Sequence, residues 1–180
     1  MASIDTDRDA LEQRCRSGTH ADAWVGFLRA HSAVVKALDA DLIASHGLPL
    51  SAYEVLMHLA LAEDGHLRMS DLAERALLSQ SRISRLVEQL VRQGLVERTA
   101  CPTDSRVVYA KVTGAGRKRF EDAEATHFAG VQERFFGRLS SGDLERLGRI
   151  WRRVLAPADA SGRRVALPGH APGTSRTEAR

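Results

Sequence analysis

Residues 69–113 read MSDLAERALLSQSRISRLVEQLVRQGLVERTACPTDSRVVYAKVT. In order the pattern gives a short helix, a tight connection, a longer helix stopped by Gly94, and two short strands around a loop carrying Pro102 and Asp104. A helix-turn-helix followed by a wing is the expected local fold. The longer helix is expected to be capped by Ser79, and Ile83, Leu86, Val87 and Leu90 form its inward stripe at i, i+3, i+4, i+7. Projected at about 100° per residue, the opposite face carries Ser81, Ser84, Arg85, Glu88 and Arg92, flanked by Arg82 and Gln89.

That outward face has the chemistry of a base reader. Arginine grips guanine O6 and N7 with two donors, Gln80 can pair with adenine, and serine hydroxyls reach phosphate or base edges. Ser79, Gln80, Ser81, Arg82, Ser84 and Arg85 are therefore the candidate DNA contacts of the helix, whose N-terminus also favours a phosphate. An ordinary solvated face would account for the arginines, but not for the short helix, the turn and the hairpin around them. Residues 95–99 and 106–112 read as the strands, the second alternating Val108, Ala110, Val112 against Val107, Tyr109, Lys111. Arg106 is the candidate wing contact, while Asp104 suits holding the loop's shape.

Charge distribution points the same way. Residues 79–118 hold eight Lys and Arg against three Asp and Glu, a surplus of five in a chain whose whole net charge is +3. A basic patch on a slightly acidic body is the electrostatic footprint of a nucleic-acid surface.

Working outward, residues 21–45 place Trp24, Phe27, Leu28, Val34, Val35, Leu38 and Leu42 at steps of three and four, with His31 on the same stripe. One long amphipathic helix ending at Gly47 is expected. Ser51 and Glu54 have capping-box spacing, with Leu50 and Val55 as a staple, so the next helix is expected to start at Ser51 and break at Asp64-Gly65. Ser70 is expected to cap the helix after that. Thr113 can cap a long segment running to Leu139, with Phe120, Phe128, Val131, Phe135 and Phe136 as apolar positions. Ser140 or Ser141 then opens a helix through Leu144, Leu147, Ile150, Trp151, Val154 and Leu155. All five phenylalanines lie outside residues 69–113. Residues 1–20 form a charged extension, either frayed or a short extra helix, and residues 156–180 have the proline, glycine and arginine content of a disordered tail.

The chain resembles the MarR family of bacterial winged-helix transcription regulators. The resemblance is carried by Asp104-Ser105-Arg106 in the wing, Val112-Thr113-Gly114-Ala115-Gly116 at the following helix, Ser70-Asp71-Leu72-Ala73, and Ile83-Ser84-Arg85-Leu86-Val87. It covers residues 21–155. It implies a mainly α fold with a small β-hairpin wing, in which a winged helix-turn-helix (48–112) is flanked by dimerisation helices (21–47 and 113–155). The expected partners are a second copy of the chain and double-stranded DNA with two half-sites about one turn apart, in a pseudo-palindromic operator. Aromatic-rich terminal helices could instead pack within one subunit. The resemblance also implies a small aromatic or phenolic effector bound where the dimerisation helices meet the winged domain. Trp24, His31 and Tyr53 are its candidate wall, although Trp24 and Tyr53 equally suit a plain core. The family's urate-responsive subgroup fits poorly: it has a tryptophan in an N-terminal helix, which this chain lacks before residue 20, and Glu54 and Gln89 stand where that subgroup places Asp and Arg.

The function expected is thus a repressor of its own or a neighbouring gene. The alternatives are a thiol switch at Cys15 or Cys101, without the paired tyrosines of the peroxide-sensing branch, and a winged-helix module for protein partners. No nucleophile elbow, P-loop or dinucleotide fingerprint suggests an enzyme; Gly114-Ala115-Gly116 lacks the third glycine of a phosphate loop. Scattered histidines and two distant cysteines suggest no metal, and no cofactor is expected. With a polar N-terminus and no apolar run of about 18 residues, no membrane contact and a cytoplasmic location are expected.

Overall fold

The structure, a computed structural model, describes residues 18–100 and 107–155. Cys15, Cys101, Asp104, Arg106 and the tail beyond residue 155 lie outside the described residues, and so do the expectations attached to them. The elements are helices α1 (Thr19–His46), α2 (Leu50–Ala60), α3 (Met69–Arg75), α4 (Gln80–Arg92), α5 (Gly114–Arg134) and α6 (Ser141–Val154). Three strands accompany them: β1 (His66–Arg68), β2 (Val96–Ala100) and β3 (Val108–Val112). The chain divides after Ser140, so α6 forms a unit of its own.

α1 ends as its sequence demands. Gly47 takes the left-handed conformation at φ 59°, and its N–H returns to the Ile43 carbonyl at 2.8 Å. α2 departs from expectation. It starts at Leu50 with Pro49 at the cap position, and no side chain of its own caps it. The missing acceptor comes from α1, where Asp39 Oδ1 receives the Leu50 N–H at 2.8 Å. A carboxylate suits the partial positive charge of a helix N-terminus, so Asp39 displaces the expected Ser51 and Glu54 box. α3 likewise begins at Met69 rather than behind Ser70, because β1 runs straight into it; the Ser70 hydroxyl donates to Asp71 Oδ1 at 3.0 Å instead. Ser79 does cap α4, accepting the Arg82 N–H at 3.3 Å.

The sheet has three strands rather than a two-stranded hairpin, in the order β1-β3-β2, all antiparallel. β1 is too short to show an alternation in sequence. Its addition matters because it buries the wing's inner edge and ties the sheet to the start of α3.

α5 is the hub of the larger unit. Thr113 caps it, accepting the Gly116 N–H at 3.0 Å while its own hydroxyl donates to the Gly94 carbonyl at 2.8 Å. A Cβ on Gly116 would lie 2.0 Å from the Leu95 carbonyl oxygen, so only glycine lets the first turn sit on that backbone. The glycines that look like part of a phosphate loop serve packing here. Further along, Arg117 donates to the Ala60 carbonyl at 3.0 Å, and Arg119 donates to the His46 carbonyl. These two arginines stand at the C-terminal ends of α2 and α1, where unpaired carbonyls attract cations. His46 bonds Thr126 at 2.8 Å, Arg134 pairs with Asp41 at 2.8 Å, and at Gly130 a Cβ would meet Leu38 at 2.6 Å. The expected segment to Leu139 is broken: the helix stops at Phe135, and Phe136–Arg138 form a single 3₁₀ turn.

The core joins α1, α2, α3, α4, the sheet and α5 through Leu42, Val55, Leu56, Leu59, Leu72, Ile83, Val87, Leu90, Val96, Ala110 and Phe120. No helix among the described residues is long and apolar enough to cross a membrane, and no cluster of three metal-ligating side chains occurs among them.

Candidate nucleic-acid interface

α4 is cleanly two-sided. Ile83, Val87 and Leu90 are buried and Leu86 is partly buried, whereas Gln80, Ser81, Arg82, Arg85, Glu88, Gln89 and Arg92 are exposed and Ser84 is half-buried. The six helix residues expected to read DNA therefore lie at the cap and first two turns. Their order is local: Ser79 and Ser81 hydroxyls are 3.2 Å apart, and Arg85 Nε donates to the Ser81 carbonyl at 3.4 Å. One polar patch ending in a pre-aimed guanidinium results.

The turn before α4 stores some strain. Leu78 and Leu77 N–H groups return to the Ala73 and Glu74 carbonyls at 3.0 and 3.2 Å, closing α3 in the manner of a Schellman motif. Leu77 occupies the left-handed position at φ 53°, where a non-glycine residue costs about 1 kcal/mol, and is 81% exposed. The turn is fixed in shape and apolar at its tip. On the wing side, Arg98 of β2 pairs with Glu88 of α4 at 3.6 Å, which links recognition helix and sheet.

The three candidate effector residues fall in two places. Trp24 and His31 lie on an exposed face of α1 with Phe27 between them, ring centroids 6.0 and 6.2 Å apart. Tyr53 is 2% exposed, stacked on His127 at 4.6 Å and tilted against Phe120 at 5.5 Å. Burial, reinforced by Glu124 and Glu54, pushes the Tyr53 phenol up to about 12, and burial raises the Glu54 carboxyl. Burial also holds His127 below its ordinary value although Glu124 pulls the other way. His127 was not legible as a partner of Tyr53, because α2 and α5 are separated in sequence by α3, α4 and the sheet. A cleft of about 430 Å³ lies elsewhere, lined by Gly47, Gln93, Leu95, Ala115, Lys118, Arg119 and Asp122.

Comparison with known proteins agrees with this geometry. The model of the MarR family matches residues 46–107, from the end of α1 to just before β3. The transcriptional repressor YetL of Bacillus subtilis is 28% identical over 62% of this chain and 68% of its own length. Among solved structures, Sco3205 of Streptomyces coelicolor, a MarR family regulator in complex with DNA, is similar with a TM-score of 0.75. It is 30% identical, over 81% of this chain and 94% of that one. CouR of Rhodococcus jostii RHA1, bound to p-coumaroyl-CoA, has a TM-score of 0.63 at 25% identity, over 76% and 94% of the two chains. With the helix-turn-helix, the three-stranded winged sheet and a 30%-identical relative covered almost end to end, the chain belongs to the MarR family of winged-helix transcriptional regulators.

Proposed function

We propose that the protein is a homodimeric repressor of its own or a neighbouring gene, which leaves a pseudo-palindromic operator when a small aromatic or phenolic ligand binds. The carrying observation is the two-sided α4: its inner stripe is fixed in the core while Ser79, Gln80, Ser81, Arg82 and Arg85 face outward at the helix N-terminus. In this reading Arg85 and Gln80 read base edges, and Ser79, Ser81, Ser84 and Arg82 hold phosphates or base edges. Arg106, outside the described residues, is the contact proposed for the wing.

Dimerisation is supported by α1, which leaves Trp24 62%, Leu28 45% and Phe27 40% exposed along its N-terminal half, an apolar face suited to a second copy. A second copy would cover it and supply the second half-site. A repressive role follows the likeness to YetL, and an aromatic ligand follows the likeness to CouR. Trp24, His31 and Tyr53 are the proposed contacts, in two separate places: Trp24 and His31 flank Phe27 on the exposed face of α1, and Tyr53 contributes a neutral phenol beside His127, where a ligand would separate α2 from α5. A cytoplasmic location goes with this role.

The test is selection of bound fragments from fragmented genomic DNA by the purified protein, repeated with a panel of aromatic acids. Enrichment of an inverted repeat, lost with one of the acids, is expected. Enrichment of no sequence would overturn the DNA reading and favour a protein-partner module.

A further inference from the structure

A carboxylate stands on the face of α4 that the proposed function turns toward DNA, where phosphates would repel it. Along the helix, at about 100° per residue, Glu88 falls within about 20° of Ser81 and between Ser84 and Arg85, opposite the buried stripe of Ile83, Val87 and Leu90. Arg85 and Arg92 lie on the same face, one turn to either side of it.

The carboxylate is held from outside its own helix. Glu88 Oε1 meets Arg98 Nη1 at 3.6 Å, and Arg98 belongs to β2. Val96 and Arg98 share the strand face directed at the core: Val96 is 1% exposed, and Arg98 lies opposite the buried Ala110. Where a further apolar rung would close over α4, the strand supplies a guanidinium that reaches the third turn of the helix. Both side chains stay partly open to water, 36% for Arg98 and 54% for Glu88, so the ion pair adds little to stability. Its effect is to orient the carboxylate and offset its charge, while the two oxygens of a carboxylate retain capacity for further hydrogen bonds.

Major-groove chemistry identifies the group such a carboxylate takes. Guanine O6 and N7 and thymine O4 are acceptors and repel it, and adenine N6 stands beside the N7 acceptor, whereas cytosine presents its N4 amino group as a donor alone. A carboxylate at the pole of a reading helix therefore selects cytosine, as arginine selects guanine. The rise per residue sets Glu88 about 4.5 Å along the axis from Arg85, equivalent to about one or two base steps.

We propose that Glu88 determines specificity in each half-site by accepting the N4–H of one cytosine, and that Arg98 is the positioning residue that holds its carboxylate there. The inference rests on the DNA-binding reading above and deepens it.

The experiment titrates wild type, Glu88→Ala, Glu88→Gln, Arg98→Gln and Arg85→Ala with the fragment selected above, a shuffled duplex of equal length, and duplexes in which each base pair of both half-sites is replaced in turn. For wild type, replacing one C·G pair within about two steps of the pair read by Arg85 is expected to cost about 10-fold; Glu88→Ala removes that cost and keeps the others. Glu88→Gln changes the preferred pair there to A·T, because a carboxamide both donates to N7 and accepts from N6. Arg98→Gln reduces discrimination at this pair alone, to about 3-fold. A Glu88→Ala protein that discriminates at every pair as wild type does would overturn the inference. So would one that binds all duplexes more tightly by a common factor, since the carboxylate would then only repel phosphates. Either result leaves the DNA reading intact, with Arg85→Ala still losing discrimination at its own pair. A wild type that prefers the selected fragment no more than the shuffled duplex would overturn both. Thermal melts of each variant check folding, and Glu88→Gln, which keeps the shape of the side chain, carries the test if Glu88→Ala melts early.

Discussion

The winged body and the N-terminal half of α1 are both rich in apolar residues, yet they treat them in opposite ways. In the body, Ile83, Val87, Leu72, Leu56 and Val96 are essentially without exposure, and the chain supplies every surface that covers them. In α1 only Leu38 and Leu42, near the C-terminal end, are buried, while Trp24, Phe27 and Leu28 stay open to solvent. α6, taken by itself, buries none of its residues although it carries Leu144, Leu147, Ile150, Trp151 and Val154. The lesson is one of division: the reading head has a closed core within one chain, whereas the N-terminal half of α1 keeps apolar residues on its surface.

That contrast can be broken from either side. The largest effect is expected from Trp24→Glu combined with Phe27→Glu, which should leave the winged body folded but abolish the proposed dimer. Operator affinity should then fall roughly 1,000-fold, because each half-site is bound alone. Sedimentation and a binding titration check this, and a monomer with undiminished affinity would dissolve the contrast. From the other side, Gly116→Ala forces a Cβ onto the Leu95 carbonyl inside the self-sufficient body. A loss of about 3 kcal/mol in unfolding free energy is expected, with dimerisation unaffected in the fraction that stays folded.

A smaller effect sharpens the comparison through pH. Burial holds the imidazoles of His58 and His127 below the ordinary value of 6.5; at His58 the Arg75 charge lowers it further while a hydrogen bond to the Arg75 backbone opposes, and at His127 Glu124 opposes. The unfolded chain therefore binds protons more readily at these sites. Their stabilisation is complete above pH 6.5 and is lost as pH falls below it. Glu54 has the opposite sign: its raised carboxyl favours the folded state at low pH, and that contribution is lost as pH rises through its folded value. The difference between wild type and a His58→Gln, His127→Gln variant isolates the imidazoles. The wild-type melting temperature should drop more steeply than the variant's between pH 7 and pH 5.5, and parallel curves would refute the assignment.

What could be read from sequence was whatever a single element decides for itself. The stripe Ile83, Leu86, Val87 and Leu90 gave α4 and its face, Ser79 and Thr113 gave two caps, and Gly47 gave the end of α1. Features needing two distant segments stayed hidden. Ser51 and Glu54 look like a capping box in isolation, but Asp39, eleven residues before Leu50 and on another helix, takes the role. β1 is three residues long and exists only because β3 offers an edge. The site divides along the same line: the exposed face of α4 follows from helical periodicity, whereas the pairing of Tyr53 with His127 and that of Glu88 with Arg98 depend on which helices and strands meet.

The central claim is that the outward face of α4 reads DNA sequence. Its most direct test is the ratio of affinities for the selected fragment and for its shuffled counterpart, measured for wild type and Arg85→Ala at one salt concentration. The account predicts that Arg85→Ala lowers this ratio by about 10-fold or more, with melting temperature and oligomeric state unchanged. An unchanged ratio would show that specificity resides elsewhere and would contradict the account.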